Sequence, residues 1–219
     1  VLSKVYLLLQ KADINLIQKD LANLDVARDS VFDISRIAVR FSGRAIVELH
    51  RGDLKKASEY LGNATTALRD LEKMTRKKEG LKYLANVTLA YQEYTEAKLL
   101  YNMTTDERIL SLDEVGVEIA PYLLGLLDFI GELRRMCLNY LRAGQVAKAE
   151  FSLKVMEEIY EDLYSIDHTA IIPNFRHKMD GARRIIETTR GDVVTEVRRL
   201  SLETALKNFE EKLLKRIRP

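Results

Sequence analysis

The chain has one cysteine, three prolines, three histidines and no tryptophan in 219 residues. A single cysteine excludes an intramolecular disulfide and a cysteine-built zinc cluster. Cys137 sits in an apolar stretch, where a small buried hydrophobe is the plain reading. The histidines, at 50, 168 and 177, form neither H-E-x-x-H nor Glu-x-x-His. A metalloprotease helix and a ferritin-like di-iron bundle are therefore not encoded. No Gly-Lys-Ser/Thr phosphate loop is present. No apolar run approaches the roughly 20 residues of a membrane span. The opening VLSKVYLLLQKAD holds too short an apolar run for a signal peptide. Together these absences predict a cytoplasmic protein with no membrane partner. The formal net charge is only +2, so bulk charge identifies no polyanionic partner and local clustering must do so.

What is present is helical. Hydrophobic residues make up 47% of the chain and charged ones 31%, with no lasting period-two pattern. The apolar spacing predicts an amphipathic helix over 4–22 and a longer one over about 25–50. Gly52 ends the second, and Asp53 caps the next, which runs to about Met74. Further helices are expected from the Arg76–Lys78 cluster to about Asn102, from Val115 to Arg142, over 146–164, and from Asn174 into the 190s. Pro121 either starts or interrupts the second of these, and residues 200–217 form a charged amphipathic end. GDLKKASEYLGNAT and GQVAKAEFSLKVME look like half-repeats. They begin at Gly52 and Gly144, too far apart for a helical repeat of about 34 residues.

Four carboxylates stand where a helical core should not want them. Glu93 and Glu96 in AYQEYTEAKLLY are spaced i,i+3, and Asp128 and Glu132 in APYLLGLLDFIGELRRMC are spaced i,i+4. Each pair therefore projects from one helix face. Asp128 lies among Leu123, Leu124, Leu126, Leu127, Phe129 and Ile130, so its helix is apolar nearly all round and reads as buried. Gly125 and Gly131 flank it, each at a cost of about 1 kcal/mol against alanine. They supply room, for a packed backbone or for a ligand. An all-oxygen donor set of this kind suits Mg²⁺ or Mn²⁺. The alternative reading leaves Glu93 and Glu96 solvated and pairs Asp128 with Arg134 or Arg135.

Basic residues also line up. Arg36, Arg40 and Arg44 are four apart on one helix with no acidic residue between them on the stripe. Arg76, Lys77, Lys78 and Lys82 form a second cluster, and Arg176, His177, Lys178, Arg183 and Arg184 a third. Such stripes track phosphates, or they are ordinary solvated faces.

Several of these segments resemble the translin family, and within it the branch of translin-associated factor X. The residues that carry the resemblance are DISRIAVRFSGRAIVELHRGD, YQEYTEA, PYLLGLLDFIGELRRMCLNYLRAGQ and FRHKMDGARRIIETTRGDVVTEVR. They occur in the family's order and span about 15–199 of a single domain read over 1–219, with helical extensions at both ends. The family's basic, histidine-rich segment before the acidic helix is replaced by KYLANVT, from Lys82 to Thr88. The resemblance implies an all-α antiparallel bundle of long helices, assembling into a hollow oligomer, typically an octamer. It implies binding of single-stranded RNA and DNA, and a Mg²⁺-dependent endoribonuclease whose acids match Glu93, Glu96, Asp128 and Glu132. All four are present, as expected of the catalytic branch and of a prokaryotic, archaeal relative built from identical subunits. The nucleic-acid contacts expected on this reading are Arg36, Arg40, Arg44, Lys178 and Arg183. A binding oligomer without catalysis, or a structural helical scaffold, are the competing expectations.

Overall fold

The computed structural model describes residues 10–217, apart from the side chains of Lys77, Glu79 and residues 214–217. Seven α-helices carry it, and no strand occurs among the described residues. They are α1 (Lys11–Arg51), α2 (Leu54–Lys77), α3 (Ala85–Asp106), α4 (Leu112–Val115), α5 (Ile119–Arg142), α6 (Val146–Tyr164) and α7 (Phe175–Ile217). No helix among the described residues is long and apolar enough to cross a membrane.

The punctuation is chemical. Gly52 adopts φ 80° and closes α1, and Asp53 then accepts a hydrogen bond from the Lys56 N–H at 3.0 Å. That N-cap is worth about 1 kcal/mol. Ser111 and Glu114 form a reciprocal capping box on the short α4. Pro121 is the third residue of α5, where its missing N–H would have had no helical partner, so it starts the helix rather than interrupting it.

The expected break between 22 and 25 does not occur. The described part of the first two predicted helices, from Lys11 on, is one helix of 41 residues; residues 4–9 lie outside the described part. The joining sequence holds no glycine or proline, and Arg28 pairs with Asp25 one turn away at 2.8 Å. At the other end, residues 200–217 continue α7 without interruption.

Side-chain contacts fix the helix directions. Thr65 meets the Tyr94 hydroxyl and Tyr91 reaches the Leu68 carbonyl, so α2 and α3 are antiparallel. Asn86 donates to Ser35 at the start of α3, and Lys82 pairs with Glu118 just before α5. His50, at the end of α1, meets Glu132 well along α5. Arg134 donates to Thr189 on α7. Helices α1, α3, α5 and α7 therefore run one way and α2 and α6 the other. The segment 107–118 returns the chain along the bundle between α3 and α5. Its fold is held by Lys98, which donates to the Glu114 and Val115 carbonyls at 2.7 and 3.1 Å.

The core is made of Leu71, Leu99, Leu100, Phe129, Ile130, Leu133 and Met156, all essentially inaccessible. Burying such side chains contributes roughly 1.5–3 kcal/mol each. Cys137 is buried with them; its thiol is pushed up to about 11 by burial and donates to the Ala149 carbonyl. Both long helices outrun this core, at opposite ends. On α1 the buried positions Val31, Ser35, Ala38, Ser42, Ala45 and Leu49 follow a 4–3 spacing. The same spacing continues backwards through Leu24, Leu21, Ile17 and Ile14, which are exposed. On α7 the exposed Leu202, Leu206, Phe209 and Leu213 repeat the pattern beyond the last turn of α5.

Candidate active site

Helices α3 and α5 lie side by side and parallel, and this brings the two acidic pairs abreast. Gly125 sets how close they come. A Cβ there would stand 2.7 Å from the Thr95 side chain and 2.9 Å from the Gln92 carbonyl, so only glycine allows this approach. The room expected at Gly125 is thus taken by packed backbone. Gly131 has nothing within 4 Å of its missing Cβ and borders open space.

The α5 pair is engaged. Asp128 accepts from Gln92 Nε2 on one oxygen at 2.5 Å and from the Lys178 ammonium on the other. Glu132 bonds to His50 Nε2, and Arg135 stands 3.8 Å from the same oxygen. The arginine of the alternative reading is not on Asp128. Arg134 turns to Thr189 and Asp192, at 2.7 and 3.2 Å, because α7 carries those partners beside it. The cation on Asp128 is Lys178, which the sequence reading had assigned to nucleic-acid contact.

The α3 pair has neither a hydrogen bond nor an ion pair among the described residues. Glu96 is 9% exposed, and Glu93 is half-buried rather than solvated. Burial pushes the Glu96 carboxyl up to about 8, and the charges of Asp128, Glu93 and Glu132 push the same way, in that order; Lys178 opposes them. Glu93 is raised by burial first, then by Asp128, with Lys178 opposing and Glu132 adding. Each of the four acids thus bears on the α3 pair, which places them in one electrostatic neighbourhood. As the side chains stand, no group of three or more acidic, histidine or cysteine residues among the described ones is arranged to hold a metal ion.

Two partners were missed in the sequence. Gln92 precedes Glu93, and its amide was indistinguishable from a surface glutamine. His50 is 82 residues from Glu132 and no spacing could link them. The other named residues lie apart from the acids. Arg36, Arg40 and Arg44 are exposed on α1 and make no ion pair among the described residues. Each guanidinium lies over a ring instead: Phe32 at 5.8 Å, Phe41 at 5.5 Å and Tyr60 at 5.7 Å. Arg183 pairs with Glu187 on its own helix at 2.9 Å. A cavity of about 1150 Å³ lies between α2, α3 and the start of α5. Arg69, Arg76, Tyr83 and Tyr91 help line it, and none of the four acids does.

The translin family model matches residues 26–188, a span that contains both acidic pairs. The chain belongs to the translin family. It is 32% identical over 207 residues to the uncharacterized protein MJ0175 of Methanocaldococcus jannaschii, covering 94% of this chain and 92% of that one. AfC3PO, solved in complex with duplex RNA, superposes with a TM-score of 0.77 at 31% identity, over 86% of this chain and 98% of that one. The crystal structure of apo-NeC3PO gives the same TM-score at 24% identity, over 86% and 99%. The latter likeness speaks for the fold alone.

Proposed function

We propose that this translin-family protein is a Mg²⁺-dependent endoribonuclease that hydrolyses single-stranded RNA. The observation that carries the reading is the cluster of Glu93, Glu96, Asp128 and Glu132, in which carboxylates outnumber the cations matched to them. The donor chemistry fits a hard divalent ion. All donors are oxygens, and Glu96 is a buried carboxylate with no partner among the described residues, which a cation would stabilise in place of a proton. Glu93, Glu96, Asp128 and Glu132 would hold the ion, with Mn²⁺ as an alternative. When bound, the metal polarises the phosphate and acidifies its water. The chain's own contribution is positioning. Gln92 fixes the Asp128 carboxylate, His50 fixes that of Glu132, and Gly125 sets the distance between their helices.

Assembly follows from the exposed stripes on α1 and α7, which a lone bundle leaves uncovered. We take the family's homo-octamer as the working assembly, near 200 kDa or eight times the 25.2 kDa chain. The RNA partner is supported by the likeness to AfC3PO, although the RNA in that complex is a duplex. Arg36, Arg40 and Arg44 are suited to a strand, since each offers a charge beside a ring face.

A second reading keeps the oligomer and its single-stranded RNA and DNA binding but not the catalysis. It is favoured by the contacts on Asp128 and Glu132, which already engage half of the acids, with the Lys178 ammonium on one and the His50 imidazole on the other. Incubation of a single-stranded RNA with Mg²⁺ and with EDTA separates the two. Cleavage that Mg²⁺ supports and EDTA abolishes is expected; binding without cleavage in either would leave the second reading. Replacing Arg36, Arg40 and Arg44 together by Gln should weaken RNA binding about tenfold and flatten its salt dependence. Unchanged affinity and salt slope would move the interface elsewhere.

A further inference from the structure

We propose that Lys178 is the resident counter-ion of the acidic site: its ammonium holds the place on Asp128 that a divalent cation takes, yields it to that cation, and turns to a phosphate of the bound RNA. This rests on the metal-dependent reading above and adds a residue to it.

The contacts on Asp128 differ in kind. Gln92 is neutral, 6% exposed, and comes from the same helix as Glu93 and Glu96. A carboxylate oxygen accepts more than one partner, so this bond can persist beside a metal. Lys178 is the charged one, and a charge on Asp128 competes directly with a second cation. It is also the cation that opposes the raised Glu96 and Glu93 carboxyls, so it serves the cluster and not Asp128 alone.

Its place in the fold lets the head move while the stem stays. Lys178 lies in the first turn of α7, between the buried Phe175 and Met179. Its N–H is fixed to the Asn174 carbonyl at 3.0 Å. The side chain is 28% exposed and ends in a flexible four-carbon stem. Arg176 and His177 are exposed on the same turn, so the released ammonium would enter a basic surface. His50 makes the contrasting case. Its side chain is 6% exposed against Glu132 and has no such exit, so it is a positioning residue.

The test compares the full wild-type chain with Lys178→Met, titrated with Mn²⁺ by calorimetry in the absence of RNA. The methionine variant should bind Mn²⁺ about tenfold more tightly, the order of effect of removing one nearby, partly screened charge. Its metal-free melting temperature should fall below that of the wild type, with the gap closing at saturating Mn²⁺. Lys178→Arg, which keeps the charge, should bind Mn²⁺ as the wild type does. In filter binding with a short phosphorothioate RNA, Lys178→Met should lose affinity only when Mn²⁺ is present. Should the methionine variant fail to fold, Lys178→Gln serves the same measurements. If the wild type binds Mn²⁺ and the uncharged variant binds it equally or less well, the counter-ion role is wrong and the metal reading stands. If neither takes up Mn²⁺, the metal reading fails and this role fails with it.

Discussion

The two acidic pairs use the same residue types on neighbouring parallel helices, yet their surroundings are opposite. Asp128 and Glu132 on α5 each meet a side chain delivered from a distant helix, the Lys178 ammonium from α7 and the His50 imidazole from α1. Glu93 and Glu96 on α3 make no ion pair among the described residues and are raised by burial and by the neighbouring acids. One pair is thus tied to side chains from other helices, and the other is held towards the neutral form. The difference teaches where a ligand's free energy would enter. On the proposed reading a divalent ion would displace the Lys178 ammonium on α5 and a proton on α3, and both exchanges would depend on how closely Gly125 lets the helices approach.

The strongest way to break the comparison is Asp128→Asn. It removes the charge that most raises both α3 acids while keeping the side chain's shape. Mg²⁺-dependent cleavage of single-stranded RNA should fall by about 100-fold or more, as expected for loss of a metal ligand. RNA affinity and assembly should persist. Lys178 loses its charged partner, so a small loss of stability offsets the relief of repulsion at Glu96. Cleavage at the wild-type rate would remove Asp128 from the site.

Glu96→Gln tests the α3 side through pH. A carboxyl at about 8 in the fold and near 4.5 unfolded binds more protons folded than unfolded between those values. Stability linked to Glu96 is therefore complete below about pH 4.5 and is lost as pH rises through 8, by roughly a few kcal/mol at most. Glutamine cannot ionise and abolishes that slope. Metal-free denaturant melts at pH 5.5 and 8.5 should show the wild type losing stability across the interval and Glu96→Gln losing about 1–3 kcal/mol less. Parallel pH dependences would mean that Glu96 is ionised at low pH already.

Gly125→Ala attacks the spacing that both pairs share. The added methyl would meet Thr95 at 2.7 Å and the Gln92 carbonyl at 2.9 Å, and the latter is backbone that cannot rotate away. A destabilisation of about 1–3 kcal/mol is expected, read from a denaturant midpoint, with Gln92 drawn off Asp128. Wild-type stability would mean that α3 and α5 are not locked at this contact.

These effects divide into those legible in the chain and those not. Helix type came from apolar spacing, and Gly52, Asp53, Pro121 and Gly144 sit where the pattern put them, because capping is local chemistry. The boundary in the N-terminal 20s was misread because period alone does not separate one long helix from two. The four acids stood out because a helix buried all round should not carry them. Their partners did not. His50 on Glu132 and Lys178 on Asp128 come from 82 and 50 residues away, and Gln92 from 36. Such pairings depend on helix order and direction, and the return of the chain over 107–118 was not foreseen. Lys178 also shows the limit of reading a basic cluster as a surface: its neighbours Arg176 and His177 are exposed while it faces inward.

The smallest expected effect comes from the other glycine. Gly131 sits three residues past Asp128 and just before Glu132, in the same helix as Gly125, but a Cβ there meets nothing within 4 Å. Packing therefore gives no reason for it, and in a helix interior glycine is disfavoured by about 1 kcal/mol against alanine. Gly131→Ala should raise stability by about 0.5–1 kcal/mol, chiefly by restricting the unfolded chain. If the open space beside Gly131 only faces solvent, activity should be unchanged as well. If it is where substrate passes the Asp128 and Glu132 carboxylates, the variant should be more stable and yet cleave RNA more slowly, with KM raised more than kcat is lowered. A destabilised variant would instead show a neighbour closing over this face, as an adjacent subunit would.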